Sequence, residues 1–213
     1  MALLAVAALA YPAQAAAKSC TNGYVALTFD DGPNAATTTG LLAALRDSRA
    51  RATFFTVGSN IKTNPRLQRQ TQAAGHWIAN HTWTHPDLTG LTEREVFTEL
   101  VQTQLATLKV NRTWPTLFRP PYGATNPEVA ATAKALGMTQ VLWSVDSRDW
   151  AGVSTDEIVE RARALEPGGI ILMHDGIPTT IAAVPRIVAE LSERGLCAGR
   201  IAVRGGEPVA VKP

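Results

Sequence analysis

Short apolar runs alternate with longer amphipathic segments along most of this chain. Runs rich in apolar and β-branched residues, without polar alternation, predict strands that are buried on both faces. They cover residues 24–29, 52–57, 76–80, 116–118, 139–145, 168–173 and, more weakly, 200–203. Segments with helical spacing lie between them, near residues 36–50, 64–74, 92–109, 127–136, 154–165 and 180–194.

The order of these elements predicts the fold class. Ser154 followed by Glu157, and Thr92 followed by Glu95, are typical signals for the start of a helix. Alternation of strand and helix favours parallel strands joined by right-handed crossovers. Six or seven such units in about 190 residues predict an α/β barrel, complete or incomplete, in a single domain.

Composition excludes some classes of function. The chain has 213 residues, of which 46% are hydrophobic and 18% charged, which suits one globular domain. The net charge of +2, without any run of Lys or Arg, gives no reason to expect binding to nucleic acid or to a membrane surface.

Residues 1–17 predict a secretory leader. They contain an apolar run over residues 2–10, a breaker at Pro12 and an Ala-x-Ala cleavage site at residues 13–15, although the usual basic start is missing, as in a truncated leader. The run is too short for a membrane span, which needs roughly 20 apolar residues. An Ala-rich core helix is the alternative.

Cys20 and Cys197 are the only two cysteines. In an exported protein, such a pair predicts a disulfide, here between the two ends of the mature chain. Two unrelated buried thiols are the alternative.

Polar clusters follow the predicted strands directly. They are DDGP (30–33), HTWTH (81–85), RPPYG (119–123), DSRDW (146–150) and HDG (174–176). In a parallel α/β barrel the carboxyl ends of the strands share one face, where active sites are built. We therefore expect these clusters to converge.

His81 and His85 are spaced so that both imidazoles can bind one metal ion, although such a pair taken alone is more often two unrelated surface histidines. Pro86 disfavours helical geometry at His85, so we expect a loop here rather than the middle of a helix. No glutamate follows His81, so the pair lacks the base of H-E-x-x-H proteases and needs a third ligand from elsewhere.

Asp30 and Asp31 can supply that ligand. An Asp-His-His set leaves positions open for water and substrate, as in catalytic zinc sites. Because consecutive side chains of a strand diverge, we expect one aspartate to bind the ion and the other to face the metal-bound water as general base. The residues alone leave open which aspartate has which role.

His174 lies on the same face but outside the metal motif, so it is a candidate general acid for a leaving group. A histidine satisfied within the core is the alternative. An acid of this kind needs a carboxylate to orient its ring and raise its pKa, and Asp146 and Asp149 are both candidates. Arg119 can pair with the aspartate that serves as base and keep it ionised.

Tyr122 and Trp150 are expected at the mouth of the same face. Aromatic rings there suit sugar rings, although a tryptophan after a strand is as often part of the core.

In this order and spacing, the motifs resemble those of carbohydrate esterase family 4, the NodB-type polysaccharide deacetylases. TFDDGP, HTWTH, RPPYG, DSRDW and LMH all occur with no motif residue altered, and the similarity runs from about residue 23 to residue 197. The short chain, with SC and GLC near its ends, is most similar to compact secreted bacterial acetylxylan esterases.

The resemblance implies a distorted (β/α)7 barrel with one divalent ion, Zn²⁺ or Co²⁺, bound by Asp31, His81 and His85. It implies that Asp30, held by Arg119, is the base and that His174 is the acid. It further implies that Asp149 is the partner of His174 and that Asp146 is a supporting member of that motif. The Tyr122 backbone N–H is implied to stabilise the oxyanion. The residues implied to surround the substrate are Trp150, Leu172, Tyr122 and Pro120.

The implied function is removal of acetyl groups from polysaccharide. O-acetyl esters of acetylxylan are favoured, and N-deacetylation of chitin oligomers or peptidoglycan is the alternative. A non-catalytic carbohydrate-binding protein on this barrel would have lost a ligand or the base, and a two-metal phosphoesterase would need more ligands than this chain offers. We therefore expect a secreted, monomeric, single-metal deacetylase, with residues 18–213 as its catalytic domain.

Overall fold

A computed structural model of the protein describes residues 20–213, so the predicted leader over residues 1–17 lies outside the described part. The strands of the main sheet are β1 (Gly23–Asp30), β2 (Thr53–Thr56), β3 (Trp77–Asn80), β4 (Leu117–Phe118), β5 (Thr139–Gln140), β6 (Val145–Asp146), β7 (Ile170–His174) and β8 (Leu196–Ala198). The helices are α1 (Thr38–Asp47), α2 (Gly58–Thr63), α3 (Pro65–Ala73), α4 (Glu93–Asn111), α5 (Pro127–Ala135), α6 (Thr155–Ala162) and α7 (Pro178–Glu193). A hairpin, β9 (Arg200–Arg204) and β10 (Glu207–Val211), follows.

The main sheet is parallel throughout. Its order is β5-β4-β3-β2-β1-β7-β6, and β8 pairs with the first residues of β1. Since all these strands run in one direction, their carboxyl ends lie on one face, as the sequence predicted. The predicted α/β class, with a distorted barrel in a single domain, is confirmed.

β1 lies at the centre of the sheet, and alternate side chains point to its two faces. Val25, Leu27 and Phe29 pack into the core between the sheet and helices α1, α6 and α7. Ala26 belongs to a second cluster on the inner face. Because side chains alternate along a strand, Asp30 points to the inner face as well.

The barrel is open between β5 and β6. The single strand predicted over residues 139–145 was wrong, because the chain leaves the ladder after Gln140 and returns to it only at Val145. Between these points, the carbonyls of Val141 and Leu142 accept hydrogen bonds from the Arg119 side chain, at 3.3 and 3.2 Å. In this stretch the chain therefore turns two of its carbonyls toward the guanidinium.

The six predicted helices are present, with boundaries within a few residues of the prediction. The predicted start of α4 is formed as a capping box, in which the Thr92 and Glu95 side chains each accept a hydrogen bond from the other residue's backbone N–H. Ser154 caps α6 by accepting from the Glu157 N–H. Helix α2 was missed by the sequence analysis.

The β9–β10 hairpin packs under the inner face of the sheet. Only its first strand was predicted, although the two-residue Gly205-Gly206 turn is typical of a hairpin. Both glycines have positive φ, 60° and 90°, as such a turn requires. Ile201 and Ala210 join the inner cluster and thereby cover the amino end of the barrel.

The predicted disulfide is confirmed. It joins Cys20, just before β1, to Cys197 in β8, across 177 positions of the chain. Over residues 20–213, we find no helix that is both long enough and apolar enough to cross a bilayer.

Candidate active site

A cleft of about 740 Å³ opens at the carboxyl ends of the strands. Each of the five polar clusters contributes to its wall. The contributing residues are Asp30 and Asp31, His81 and His85, Pro120 and Tyr122, Asp146 and Trp150, and His174 and Asp175. The convergence expected from parallel strands is therefore present.

The two aspartates at the end of β1 point in different directions. Asp30 is the last residue of the strand and is only 2% exposed. Asp31 has a φ of 71°, in the left-handed region, which turns the chain out of the strand direction. The Asn60 side chain donates a hydrogen bond to the Asp31 carbonyl at 2.8 Å and thereby fixes this turn. The adjacent carboxylates thus face different neighbours.

Asp31, His81 and His85 form a possible metal site. The Asp31 Oδ1 atom lies 3.5 Å from His81 Nε2 and 3.4 Å from His85 Nε2. Ligands about 2.0–2.1 Å from a tetrahedral zinc ion lie roughly 3.3 Å apart, so these separations fit one ion. Asp31 Oδ1 is also buried without a hydrogen-bond partner within residues 20–213, as expected for an atom that serves a cation.

His81 is held in the tautomer that a metal ligand needs. Its Nδ1 lies 2.7 Å from the Arg119 carbonyl oxygen, which can only accept, so Nδ1 carries the proton and Nε2 presents a lone pair to Asp31. Burial, reinforced by the neighbouring His85 and Arg119 and only partly opposed by Asp31, lowers the pKa of His81 to about 3. The ring is therefore neutral, as metal binding requires.

The loop that carries His81 and His85 is fixed by α4. Thr82 and His85 have positive φ values of 65° and 63°, which confirms the expectation of a loop rather than a helix. The Glu99 carboxylate accepts three hydrogen bonds from it: from the Trp83 and Thr84 N–H groups, both at 2.8 Å, and from the Thr84 hydroxyl at 2.7 Å. Glu99 had no signal in the sequence, since a glutamate on a helix is usually a solvated residue.

Arg119 and Asp30 form a buried ion pair. The Arg119 side chain is fully buried, and its Nη1 lies 2.7 Å from Asp30 Oδ1 and 2.8 Å from the Thr28 hydroxyl. Burial raises the pKa of Asp30 above its ordinary value, against the opposing charge of Arg119. Asp30 Oδ2 lies 3.7 Å from His81 Nε2, so the second oxygen faces the possible metal site.

Asp149, rather than Asp146, is the partner of His174. The Asp149 Oδ1 atom lies 2.7 Å from His174 Nδ1, and its Oδ2 accepts from the His174 N–H and the Thr180 hydroxyl. Burial alone would lower the pKa of His174, but the hydrogen bond to Asp149 and the charge of Asp30 outweigh burial and raise this pKa to about 8. Against the effect of burial, the same hydrogen bonds hold the pKa of the Asp149 carboxyl below its ordinary value.

Asp146 instead supports the rim of the cleft. Its Oδ1 accepts from the Arg148 N–H at 2.7 Å and from the Trp150 indole N–H at 3.4 Å. It therefore orients the tryptophan that the sequence analysis placed at the mouth.

The remaining walls combine exposed rings with an apolar floor. The Tyr122 and Trp150 side chains are 73% and 57% exposed, whereas Leu172 is buried. Tyr122 has a φ of 59°, a conformation that costs a residue with a Cβ atom roughly 1–2 kcal/mol. Trp143 also lines the cleft and was missed, because it lies within the stretch that the sequence analysis took for a strand.

Known proteins are similar to this chain in sequence and in fold. A family model described as polysaccharide deacetylase matches residues 17–141. A bifunctional xylanase/xylan deacetylase from Cellvibrio japonicus is 42% identical over 190 residues, which cover 89% of this chain but 29% of that protein, so the chain spans less than a third of that relative. A chitooligosaccharide deacetylase from Sinorhizobium fredii is 39% identical over 189 residues, 80% of this chain and 86% of that one. A solved family 4 carbohydrate esterase from Streptomyces lividans in complex with acetate matches with a TM-score of 0.87 at 46% identity, covering 90% of this chain and 98% of the other.

The Glu99 contacts predict an effect on metal affinity. Replacing Glu99 by Gln removes the charge that holds three donors of the histidine loop, so His85 loses its fixed position relative to Asp31. We expect the affinity for Zn²⁺ to fall about 10-fold, as for outer-shell partners in other metal sites. This affinity is measured by letting the protein compete with a chromogenic chelator for Zn²⁺. Glu93→Gln, on the same helix but outside these contacts, is the control, and equal affinities in the two variants would contradict the prediction.

Proposed function

The chain belongs to the polysaccharide deacetylase family, and we propose on that basis that it is a metal-dependent hydrolase that removes acetyl groups from polysaccharide. The observation that carries the proposal is a single cleft lined by an Asp-His-His ligand set, a buried aspartate and a carboxylate-supported histidine. The Asp-His-His set suits binding of a metal ion, the buried aspartate suits removal of a proton, and the supported histidine suits donation of a proton.

Asp31, His81 and His85 would hold the ion, and we propose Zn²⁺ or Co²⁺. Two imidazoles and one carboxylate are a common ligand set of catalytic zinc, with room left for water and substrate. When bound, such an ion acts as a Lewis acid that makes water more acidic and polarises a carbonyl group.

Asp30 is the proposed base. Its Oδ1 is bound to Arg119, so Oδ2 is the atom left to take a proton from the attacking water. Burial of the carboxylate raises the pKa of Asp30, which makes it a stronger base than an exposed aspartate, while Arg119 holds it in place.

The Tyr122 backbone N–H is proposed to donate to the acetyl oxygen as that atom gains negative charge. A fixed donor costs no reorganisation at the moment of reaction. The strained turn at Tyr122 is consistent with a backbone held for such a purpose.

His174 is the proposed acid. Because Asp149 holds Nδ1, Nε2 is the nitrogen left to donate a proton to the departing sugar oxygen or nitrogen. With a pKa of about 8, the imidazole is protonated at neutral pH and can serve this role.

We propose acetylxylan as the preferred substrate, with chitin oligomers and peptidoglycan as alternatives. The name of the Cellvibrio relative supports xylan, and the name of the Sinorhizobium relative supports chito-oligosaccharides. Tyr122 and Trp150 would contact sugar rings, with Leu172 and Pro120 beside the acetyl methyl group. We further propose that the enzyme is secreted, which the disulfide supports, and that it acts as a monomer.

Acetate release measured in parallel on acetylxylan, chitin pentamer and peptidoglycan tests this function. We expect release from at least one of them, fastest from acetylxylan, loss of release after chelation, and recovery when Zn²⁺ or Co²⁺ is restored. Release that survives complete removal of metal would contradict the metal-dependent mechanism, and faster release from an N-acetylated polymer would contradict the preference for xylan.

The His174–Asp149 contact predicts the alkaline side of the pH profile. Only protonated His174 can donate, so kcat/KM should fall as the pH rises through about 8. In Asp149→Asn the carboxylate charge is gone and the pKa of His174 falls, so the decline should begin about one pH unit lower. Asp146→Asn is the control, because Asp146 bonds to Arg148 and Trp150 instead. An alkaline limb that stays in place in Asp149→Asn would refute the assignment of the acid.

A further inference from the structure

A second cleft, of about 530 Å³, lies at the opposite end of the barrel. One wall is formed at the amino ends of the strands, by Thr53 of β2, Trp77 of β3 and Thr139 of β5. The other wall is strand β9 of the hairpin, and the loop after α4 adds Trp114. The volume lies in the range of small-molecule sites. None of the residues proposed for deacetylation lines this cleft.

The cleft combines two indole rings with several uncharged hydrogen-bonding groups. Trp77 and Trp114 both line it, and Trp114 is 42% exposed. The Gln72 amide is held by hydrogen bonds with Asn111 at 3.0 Å and Thr113 at 3.3 Å, so it is fixed before any ligand arrives. Broad apolar rings beside fixed polar groups suit a ligand that has an apolar face and a polar edge.

Four threonines also line this cleft, at positions 53, 113, 116 and 139. The Thr53 side chain is fully buried, so it shapes the wall without offering its hydroxyl to a ligand. Thr113 and Thr116 are exposed and Thr139 is half-buried, so their hydroxyls can meet a ligand. The cleft therefore offers a ligand several uncharged donors and acceptors.

The charges of the cleft select the class of ligand. Within the described chain no carboxylate lines it, so it offers a cation no anionic ligand. His76 is neutral, because burial and the nearby Arg51 lower its pKa to about 4. Among the described residues that line the cleft, Arg200 is the single cationic side chain. A neutral ligand rich in hydroxyl groups fits this combination best.

We propose that this cleft is a second carbohydrate-binding site, which holds a sugar unit of a neutral polysaccharide away from the active site. The sugar would stack on Trp114 and Trp77 and bond to the accessible threonine hydroxyls and the Gln72 amide. Such a contact keeps the enzyme on a polymer between catalytic events by raising the effective concentration of acetyl groups. That consequence rests on the proposed function, whereas binding itself does not.

Native gel electrophoresis through soluble arabinoxylan or glycol chitin tests the proposal without any deacetylation step. Retardation of the protein as polymer concentration rises gives a dissociation constant. We compare the wild type with Trp114→Ala, Trp150→Ala at the active-site rim, and the double variant. Phe97→Ala removes another exposed ring, 45% exposed on α4 and outside both clefts, and is the matched control.

We expect Trp114→Ala to weaken binding to at least one polymer by roughly 5- to 30-fold. The double variant should bind more weakly than either single variant, and Phe97→Ala should match the wild type. Trp114→Phe keeps a ring and should recover most of the affinity, while Thr139→Val, which removes a hydroxyl with little change of shape, should weaken binding in the same direction. Unfolding temperatures identify any variant that fails to fold.

Three results would overturn the proposal. One is a folded Trp114→Ala variant that the polymers retard as strongly as they retard the wild type. Another is an equal loss in Phe97→Ala. The third is a wild-type protein that neither polymer retards. A protein that is retarded but releases no acetate would retain this binding site while losing the proposed function, so the two failures are distinguishable.

Discussion

The buried Arg119–Asp30 ion pair is the interaction that links the site to the open side of the barrel. Bringing two charges into the core costs more than their attraction usually returns, so such a pair is weak evidence for stability alone. Here the guanidinium makes four hydrogen bonds, to Asp30, to Thr28 and to the carbonyls of residues 141 and 142, and it lies 4.1 Å from the centre of the Phe55 ring. Those carbonyls lie in the stretch between β5 and β6 where the chain leaves the ladder. The arginine that holds one carboxylate in the core is thus itself held at the opening of the barrel.

The proposed role of Asp30 as base depends on its side chain pointing in a different direction from that of Asp31. Asp30 remains in the strand direction and faces Arg119, whereas the left-handed backbone at Asp31 turns the next carboxylate toward His81 and His85. The Arg119 carbonyl accepts from the imidazole of His81 and so fixes the tautomer of that ligand. One residue therefore orients both the proposed base and one of the proposed metal ligands.

The sequence was informative where function depends on strand ends. Parallel strands carry their carboxyl ends to one face, so polar clusters directly after apolar runs predicted the convergence of Asp30, His81 and His174 without any knowledge of distances. The choices between Asp30 and Asp31, and between Asp146 and Asp149, depended on resemblance to a family, because backbone angles and side-chain directions are not visible in a residue pattern.

Features that depend on contacts between distant segments were not predictable. The strand predicted over residues 139–145 is split where its carbonyls accept hydrogen bonds from Arg119, about 20 positions away. Glu99 acts through a loop about 15 residues distant, and the cleft at the amino end needs the hairpin to form its second wall. The hydrophobic periodicity of the sequence indicates which side of a helix or strand is buried, but it does not indicate which elements pack against each other.

The central claim is that two adjacent carboxylates divide the work, Asp31 binding the ion and Asp30 moving the proton. The most direct test is the amount of zinc bound per chain in Asp30→Asn and in Asp31→Asn, with acetate release measured on the same samples. The account predicts that Asp30→Asn keeps one zinc ion but loses about 10²–10⁴-fold in rate, as expected for a lost general base, whereas Asp31→Asn loses the ion. Near-normal release by zinc-loaded Asp30→Asn, or full zinc binding by Asp31→Asn, would contradict it.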